Sequence, residues 1–166
     1  MSNTRICFVR HGETNWNAER RMQGHIDIPL NANGISQAER LANALIRVKH
    51  SFDVIYSSDL ERALHTANAV ARALSLDVQI TPRLRERNVG KLQGLLLAEA
   101  PVLLPEIWQR HIARELDHDL GGGESIRTFH QRMQDILELF LNEHRGQSVL
   151  AAVSYTHLRA HETVLD

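Results

Sequence analysis

Two kinds of hydrophobic pattern follow one another along the chain. Short, nearly continuous apolar runs are typical of buried strands, and they predict strands at residues 5 to 9, 53 to 56, 78 to 80 and 149 to 153. Apolar residues spaced three and four positions apart are typical of amphipathic helices, and they predict helices over residues 32 to 48, 59 to 74 and 124 to 144. Between these elements we expect a polar loop at residues 81 to 95 and shorter helical pieces within residues 96 to 116.

The alternation of the two patterns predicts the fold class. Strands that alternate with helices form a mostly parallel sheet, because each helix carries the chain back to the start of the next strand. We therefore expect an α/β fold with three layers, a mostly parallel sheet with helices on both faces, and strand 5 to 9 near its centre. Ser58 is expected to cap the second long helix. The predicted core faces of the first and last long helices are Ile35, Ala38, Leu41, Ala42, Leu45 and Ile46, and Ile126, Phe129, Met133, Ile136, Leu137, Phe140 and Leu141.

The composition is that of one ordinary globular domain. The 166 residues are 43% hydrophobic and 23% charged, with a formal net charge of -1. A nearly neutral chain is a poor partner for nucleic acid, so a basic site for an anion has to be local. Cys7 is the single cysteine, which excludes an intrachain disulfide. The chain shows no membrane-length apolar run and no signal region, so we expect no membrane partner and a cytoplasmic location. No pattern indicates an oligomeric state.

Residues with candidate catalytic chemistry follow the first predicted strand directly in the sequence. Arg10, His11 and Gly12 follow the apolar run that ends at Val9. The carboxyl edge of a parallel sheet is where open α/β folds bind ligands, so these residues are expected at a binding edge. The planar fork of arginine suits phosphate oxygens, and a neutral imidazole nitrogen can act as a nucleophile. Gly12 is expected to let a ligand approach the backbone closely, because it has no side chain.

Five ordered segments resemble the motifs of the histidine phosphatase superfamily, whose members are phosphoglycerate mutase-like. The segments are Arg10-His11-Gly12-Glu13-Thr14 with Trp16-Asn17; Gln23-Gly24 with Asp27-Ile28-Pro29-Leu30-Asn31 and Gly34; Ser57-Ser58-Asp59-Leu60-Glu61-Arg62-Ala63 with Thr66-Ala67; Leu84-Arg85-Glu86 with Gly90 and Gln93-Gly94; and Gly122-Gly123-Glu124-Ser125. The resemblance implies a phosphoglycerate mutase-like fold and phosphoryl chemistry that proceeds through a phosphohistidine.

The resemblance places functional roles on particular side chains. His11 is expected to be the nucleophile, and Arg10 and Arg62 are expected to hold the phosphoryl oxygens, whose spreading charge they would neutralise. Glu86 is the candidate general acid, which would protonate the leaving oxygen and later deprotonate the attacking water. The residues expected to line the mouth of the site and bind substrate are Asn17, Gln23 and Gly24. The implied chemistry needs no metal and no cofactor.

Several neighbouring residues have simpler interpretations. Glu86 is flanked by arginines that would lower its pKa or hold it in a salt bridge unless burial opposes them; these are Arg83, Arg85 and Arg87. Glu13 is expected to be structural, and Glu124 is expected to begin a helix. Trp16 is expected to pack rather than bind. The remaining scattered histidines are expected to be surface or satisfied groups: His25, His50, His65, His111, His118, His130 and His144.

The leading hypothesis for function is a metal-independent phosphatase that acts on a small phosphorylated metabolite. A cofactor-dependent phosphoglycerate mutase, an isomerase, is the alternative within the family. Mutases of this kind carry a longer basic insertion after the acid-bearing loop, whereas this chain has only Arg110 and Arg114 between Gly94 and Gly121. A non-catalytic phosphate-binding pseudoenzyme is the third possibility.

The last residues do not resemble the family. Its members continue the last predicted strand with Ser-His-Gly, and that histidine contacts the transferred phosphoryl group. Here the sequence is Val153-Ser154-Tyr155-Thr156-His157-Leu158-Arg159-Ala160-His161-Glu162-Thr163. This string is what one reading frame of a common transposase sequencing adapter encodes. We therefore expect a native domain at residues 1 to 152, incomplete at its C-terminus, and a non-native tail at residues 153 to 166. The chain as written is expected to be nearly inactive, and His157 and His161 are not interpreted as a metal site.

Overall fold

A four-stranded parallel sheet forms the centre of the protein, whose computed structural model describes residues 3 to 47 and 51 to 154. The strands are β1 (Arg5–Arg10), β2 (Val54–Ser57), β3 (Val78–Ile80) and β4 (Ser148–Val153). All neighbouring pairs are parallel and the order is β1-β4-β2-β3, which confirms the predicted sheet. The expected central position of β1 is wrong for the described residues, because β4 takes the place between β1 and β2.

The helices of the described residues are α1 (Asn15–Ala18), α2 (Ala32–Arg47), α3 (Glu61–Leu74), α4 (Ala100–Leu103), α5 (Pro105–Ile112) and α6 (Ile126–Glu143). The short helix α1 was not predicted, whereas the other five lie close to their predicted positions. The predicted polar loop contains two 3₁₀ turns, at Pro82–Leu84 and Gly90–Leu92. No helix within the described ranges is both long and apolar enough to cross a membrane.

Two hydrophobic cores cover the two faces of the sheet. On one face α6 packs against β2 and β4 through Met133, Ile136 and Phe140. On the other face α2 and α3 pack through small side chains, among them Ala42 and Ala67. Alternate residues of β4 enter opposite cores, as the two-residue period of a strand requires. The predicted three-layer α/β fold is therefore confirmed.

Three residues that were predicted to lie on the core faces of the helices are exposed to solvent. Ile35 and Ile46 of α2 are 36% and 50% exposed, and Leu141 of α6 is 50% exposed. The buried stripe of α2 consists of the small residues Gly34, Ala38 and Ala42, so only a narrow face of the helix enters the core. Leu41 and Leu45 beside that stripe are partly buried against the core, whereas Ile35 and Ile46 remain at the surface.

The start of α3 differs from the prediction in a way that matters for the site. Leu60, not Ser58, is the N-cap residue, and its side chain makes no capping hydrogen bond. The N–H of Glu61 instead donates to the Asp27 carboxylate at 2.8 Å. A carboxylate at a helix N-terminus is favoured by the helix dipole. This contact ties the loop after α1 to the first turn of α3.

The predicted division at residue 152 falls at the end of the described chain. Val153 is the buried last residue of β4, and Ser154 is buried behind it. The rest of the predicted tail, residues 155 to 166, lies outside the described residues, as does His50.

Candidate active site

A cavity of about 450 Å³ opens at the carboxyl ends of the strands. Arg10 and His11 reach it from the end of β1, Arg62 from the first turn of α3, and Glu86 from the loop after β3. The expected substrate-binding residues line the same cavity; they are Asn17, Gln23 and Gly24. The structure thus brings together every residue that the sequence placed in the site.

His11 is held with one ring nitrogen fixed. Its Nδ1 lies 2.6 Å from the carbonyl oxygen of Gly12, and a carbonyl can only accept, so Nδ1 carries the proton. In this tautomer Nε2 is the unprotonated nitrogen and carries the lone pair. The ring is 7% exposed, and burial, together with the nearby charges of Arg62 and Arg10, lowers the pKa of His11 to about 4. His11 is neutral at physiological pH, as a nitrogen nucleophile must be.

Arg62 places a positive charge in the wall of the cavity without exposing it to bulk water. Its exposed fraction is 0%. The guanidinium donates to Ser154 Oγ at 2.6 Å, to the Ile26 carbonyl at 2.9 Å and to the Gly24 carbonyl at 2.8 Å. Burial lowers the pKa of Arg62 to about 10, so the group stays charged near neutral pH. These neutral acceptors fix its direction without neutralising it.

Arg10 is the second cation of the site. It is the last residue of β1 and is exposed, in contrast to the buried Arg62. Within the described part of the chain, no carboxylate forms an ion pair with either guanidinium. Two arginines without a direct ion pair, beside a neutral imidazole, form a site for an anion with several oxygens, such as a phosphoryl group.

Glu86 is the acidic group of the cavity. Burial raises its pKa to about 7, which outweighs the opposite effects of the Arg87 N–H and of Arg62, Arg10 and Arg132. The N–H of Arg87 donates to Glu86 Oε1 at 2.9 Å. A carboxyl group that titrates near pH 7 can both give and take a proton at physiological pH.

Two of the arginines that flank Glu86 in sequence, Arg85 and Arg87, are occupied elsewhere. Arg85 makes a bidentate pair with Asp59 at 2.7 and 2.6 Å. The Arg87 side chain donates to the Glu124 carbonyl at 2.8 Å. Of the described ion pairs, none includes Glu86, so the salt-bridge interpretation of this residue is not what the structure shows.

Gly12 has a role that differs from the expected one. A Cβ atom at this position would clash with the Gly34 carbonyl oxygen and would lie 2.8 Å from the Gly34 carbonyl carbon. A Cβ on Gly34 would in turn clash with the backbone of Glu13. The missing side chain therefore permits close backbone packing between α2 and the loop that carries His11, rather than approach of a ligand.

Asn17, Gln23 and Gly24 have structural partners as well as positions in the wall. Asn17 Oδ1 accepts from the Thr14 N–H at 3.1 Å, which completes the capping box of α1. Gln23 Oε1 lies 3.0 Å from the Thr14 hydroxyl. These contacts use the amide oxygens and leave the amide nitrogens for a ligand. Gly24 has φ +54°, which suits glycine, and its carbonyl holds Arg62.

Glu13 and Glu124 are structural, as expected, but Glu124 does not begin α6. Ser125 is the N-cap of that helix, and Glu124 holds the acid-bearing loop by accepting from the Asn88 N–H at 3.0 Å and from Arg132 at 2.7 Å. The Asn31 amide donates to Glu13 Oε1 at 2.8 Å, and this hydrogen bond lowers the pKa of Glu13.

Several residues that line the cavity were not predicted from the sequence to do so. Trp16 and His111 line it, although both were assigned to packing or to the surface. His25 donates through Nε2 to the Glu86 carbonyl at 2.7 Å and so positions the acid. The location of His111 on α5 depends on tertiary packing. The sequence offered a signal for His25, because it follows Gln23-Gly24 in a recognised motif. The other wall residues not anticipated are Arg20, Arg21, Met22, Val89, Leu97 and Ser154.

The sequence profile of the histidine phosphatase superfamily (branch 1) matches residues 6–164. The chain is 40% identical over 147 residues to phosphoglycerate mutase-like protein 4 of Arabidopsis thaliana, covering 87% of this chain and 64% of that protein. It is 39% identical over 159 residues to the metal-independent phosphoserine phosphatase of the same plant, covering 95% of this chain and 66% of that protein. The chain therefore spans just under two thirds of the length of these relatives.

A solved structure agrees with the sequence comparison. A phosphoserine phosphatase mutant from Entamoeba histolytica in complex with phosphoserine superimposes with a TM-score of 0.80 and 27% identity. The superposition covers 91% of this chain and 74% of that chain. The likeness therefore extends over nearly all of the fold described above.

Proposed function

Because the chain belongs to the histidine phosphatase superfamily, branch 1, we propose that it hydrolyses a small phosphorylated metabolite without a metal, through a phosphohistidine at His11. The observation that carries the proposal is the protonation state of the site. A neutral His11, with its Nδ1 proton fixed on the Gly12 carbonyl, lies in one cavity with a carboxyl group that titrates near pH 7. A nucleophile and a general acid are thus both ready at the same pH.

The first chemical step forms the phosphohistidine. The lone pair of His11 Nε2 attacks phosphorus, the P–O ester bond breaks, and Glu86 gives its proton to the leaving oxygen. Arg10 and Arg62 stabilise the negative charge on the three transferring oxygens. Nδ1–H continues to donate to the Gly12 carbonyl, which supports the positive charge that the ring acquires.

The second step reverses the roles of the same groups. A water molecule attacks phosphorus, the P–N bond breaks, and the Glu86 carboxylate takes a proton from the water. The products are inorganic phosphate and a neutral His11. The cycle returns Glu86 to its protonated form, so no further acid or base is consumed.

Rapid-quench labelling tests the intermediate. Incubation with a phosphorylated substrate is expected to trap a phosphoryl group that is labile in acid and stable in base. His11→Ala is expected to abolish both the label and turnover, whereas His130→Ala, on the exposed side of α6, is the matched control. Undiminished turnover by His11→Ala, or activity that a chelator removes and added metal restores, would contradict the proposal.

The phosphoglycerate mutase alternative has support from named relatives. Probable phosphoglycerate mutase GpmB of Escherichia fergusonii is 37% identical over 148 residues, covering 87% of this chain and 66% of that protein. The few basic residues between Gly94 and Gly121 favour hydrolysis instead. Incubation with 3-phosphoglycerate separates the alternatives: a phosphatase releases inorganic phosphate, a mutase forms 2-phosphoglycerate, and a pseudoenzyme binds without turnover.

A further inference from the structure

Arg20 has a backbone conformation that arginine seldom adopts. Its φ is +58°, in the left-handed region where a side chain carries a steric cost. The surrounding backbone enforces this conformation. The N–H of Arg20 donates to the Asn17 carbonyl at 3.1 Å, and its carbonyl accepts from the Leu97 N–H at 3.0 Å. Glycine or asparagine would occupy such a position at lower cost, so the local fold does not explain an arginine here.

The side chain of Arg20 lines the candidate active site. It lies in the wall of the cavity that also holds His11 and Arg62, and it is exposed at the mouth. Among the described residues, no carboxylate pairs with Arg20. Its guanidinium is therefore available to a ligand.

The neighbouring Arg21 lines the same wall but has a structural role. It donates to the Gly94 carbonyl at 2.7 Å and to Glu19 at 3.1 Å. Its guanidinium also lies over the ring of Trp16, 5.6 Å from the ring centroid. Arg21 is thus held by contacts within the protein, whereas Arg20 lines the cavity and has no side-chain hydrogen bond or ion pair among the described residues.

The charges of the cavity exceed what one phosphoryl group requires. Arg10 and Arg62 are already assigned to the phosphoryl oxygens, and Glu86 is the one carboxylate among the lining residues. A cavity of about 450 Å³ has the size of sites for whole small molecules rather than for a phosphoryl group alone. We propose that Arg20 binds a second anionic group, a carboxylate or a second phosphate, on the leaving part of the substrate.

This inference rests on the proposed function, and a binding experiment separates the two. The matched probes are 3-phosphoglycerate and glycerol 3-phosphate, which differ in a carboxylate against a hydroxymethyl group; fructose 1,6-bisphosphate and fructose 6-phosphate form the second-phosphate pair. Calorimetry with the His11→Ala protein measures affinity without turnover. Failure of both members of a pair to bind would argue against the proposed phosphoryl site itself, whereas an unchanged selectivity after mutation of Arg20 would overturn the inference alone.

Arg20→Gln is expected to weaken binding of the doubly anionic probe about tenfold and to leave its singly anionic partner unchanged. The pair that responds identifies the carboxylate or the phosphate as the second group. Arg20→Lys is expected to retain part of the selectivity. Arg72→Gln, which removes the same charge from an exposed position on α3, is the control and is expected to change neither affinity. Equal weakening of both probes by Arg20→Gln would overturn the inference.

Arg20→Gly adds a readout that a merely structural role would not give. Glycine fits the left-handed backbone, so this variant is expected to raise the melting temperature while it loses the same selectivity. Gain of stability together with loss of selectivity would show that the arginine is there for the ligand.

Discussion

At the scale of single residues, the site depends on groups whose protonation the protein has shifted in opposite directions. Burial lowers the pKa of His11 to about 4 and raises the pKa of Glu86 to about 7. The same physical cause has opposite results because burial disfavours the charged form of each group, which is the cation for histidine and the anion for glutamate. Between these two pH values a neutral nucleophile and a protonated acid coexist.

The pH profile of kcat/KM should therefore be bell-shaped. It is expected to rise through about pH 4, where His11 loses its proton, and to fall through about pH 7, where Glu86 loses its own. Glu86→Gln keeps an acceptor for the Arg87 N–H but has no proton to transfer, so it should lower kcat by about 10²- to 10⁴-fold and remove the upper limb. An upper limb that persists in Glu86→Gln would assign that pKa to another group.

At the scale of elements, two backbone contacts locate the catalytic groups. α2 approaches the loop after β1 through Gly12 and Gly34, and α3 is capped by Asp27 from the loop that carries Gly24. The helices thus do more than cover the sheet, because each fixes one side of the cavity.

Gly12→Ala should destabilise the protein and misplace His11. The new methyl group would have to displace the backbone of Gly34, for which overpacking of about 1 to 3 kcal/mol is typical. Gly34→Ala should behave in the same way, while Asn43→Ala on the exposed side of α2 is the control. Denaturant unfolding measures the change, and equal stability of Gly12→Ala and Asn43→Ala would contradict the packing argument.

Asp27→Ala should affect both stability and ligand binding. Loss of a charged cap from α3 is expected to cost about 1 kcal/mol of the free energy of unfolding. Because Ile26 and Gly24 accept from Arg62, a looser loop should also weaken binding of inorganic phosphate. Glu39→Ala, an exposed acidic position on α2, is the control for charge. Thermal unfolding and phosphate titration together check the expectation; weaker stability with unchanged phosphate affinity would refute the link to Arg62.

The same contacts show where prediction from sequence reached its limit. Hydrophobic periodicity was sufficient to predict where the strands and the long helices lie along the chain, because period 2 and period 3.6 are local properties of the sequence. It could not show that Asp27 would cap α3, because that partner lies 34 positions away in the chain. His111 was missed for a similar reason, since only tertiary packing brings it to the cavity. Arg20 was missed although it lies between the recognised segments Trp16-Asn17 and Gln23-Gly24. The role of Gly12 was misassigned because a missing side chain can admit either a ligand or a neighbouring backbone.

At the scale of the whole molecule, the cavity is assembled from segments that span the chain. Arg10 ends β1, Glu86 lies in the loop after β3, and Ser154 follows β4, where its hydroxyl accepts from Arg62 at 2.6 Å. The site therefore depends on the segment at the end of β4. Residue 155, where the resemblance to the family implies a second histidine, is tyrosine in this chain.

We propose that residues 153 to 166 are not native, and a comparison of turnover tests this. The 166-residue chain is expected to be nearly inactive beside a version in which Ser-His-Gly and the remainder of the uninterrupted gene follow Val153. A tyrosine hydroxyl is neutral, so it cannot reproduce an imidazolium next to a phosphoryl group. Comparable turnover by the two proteins would instead identify the present ending as a natural one.

The burial of Arg62 also bears on how long the protein survives in a cell. A fully buried cation without a described carboxylate partner costs the empty protein free energy, and a bound anion would recover part of it. Ligand binding to the folded state alone adds about 2.7 kcal/mol of stability at a concentration 100 times its Kd. If the proposed site binds phosphate, resistance to proteolysis is expected to rise with the phosphate concentration, and the lifetime of the protein would then depend on its ligand supply.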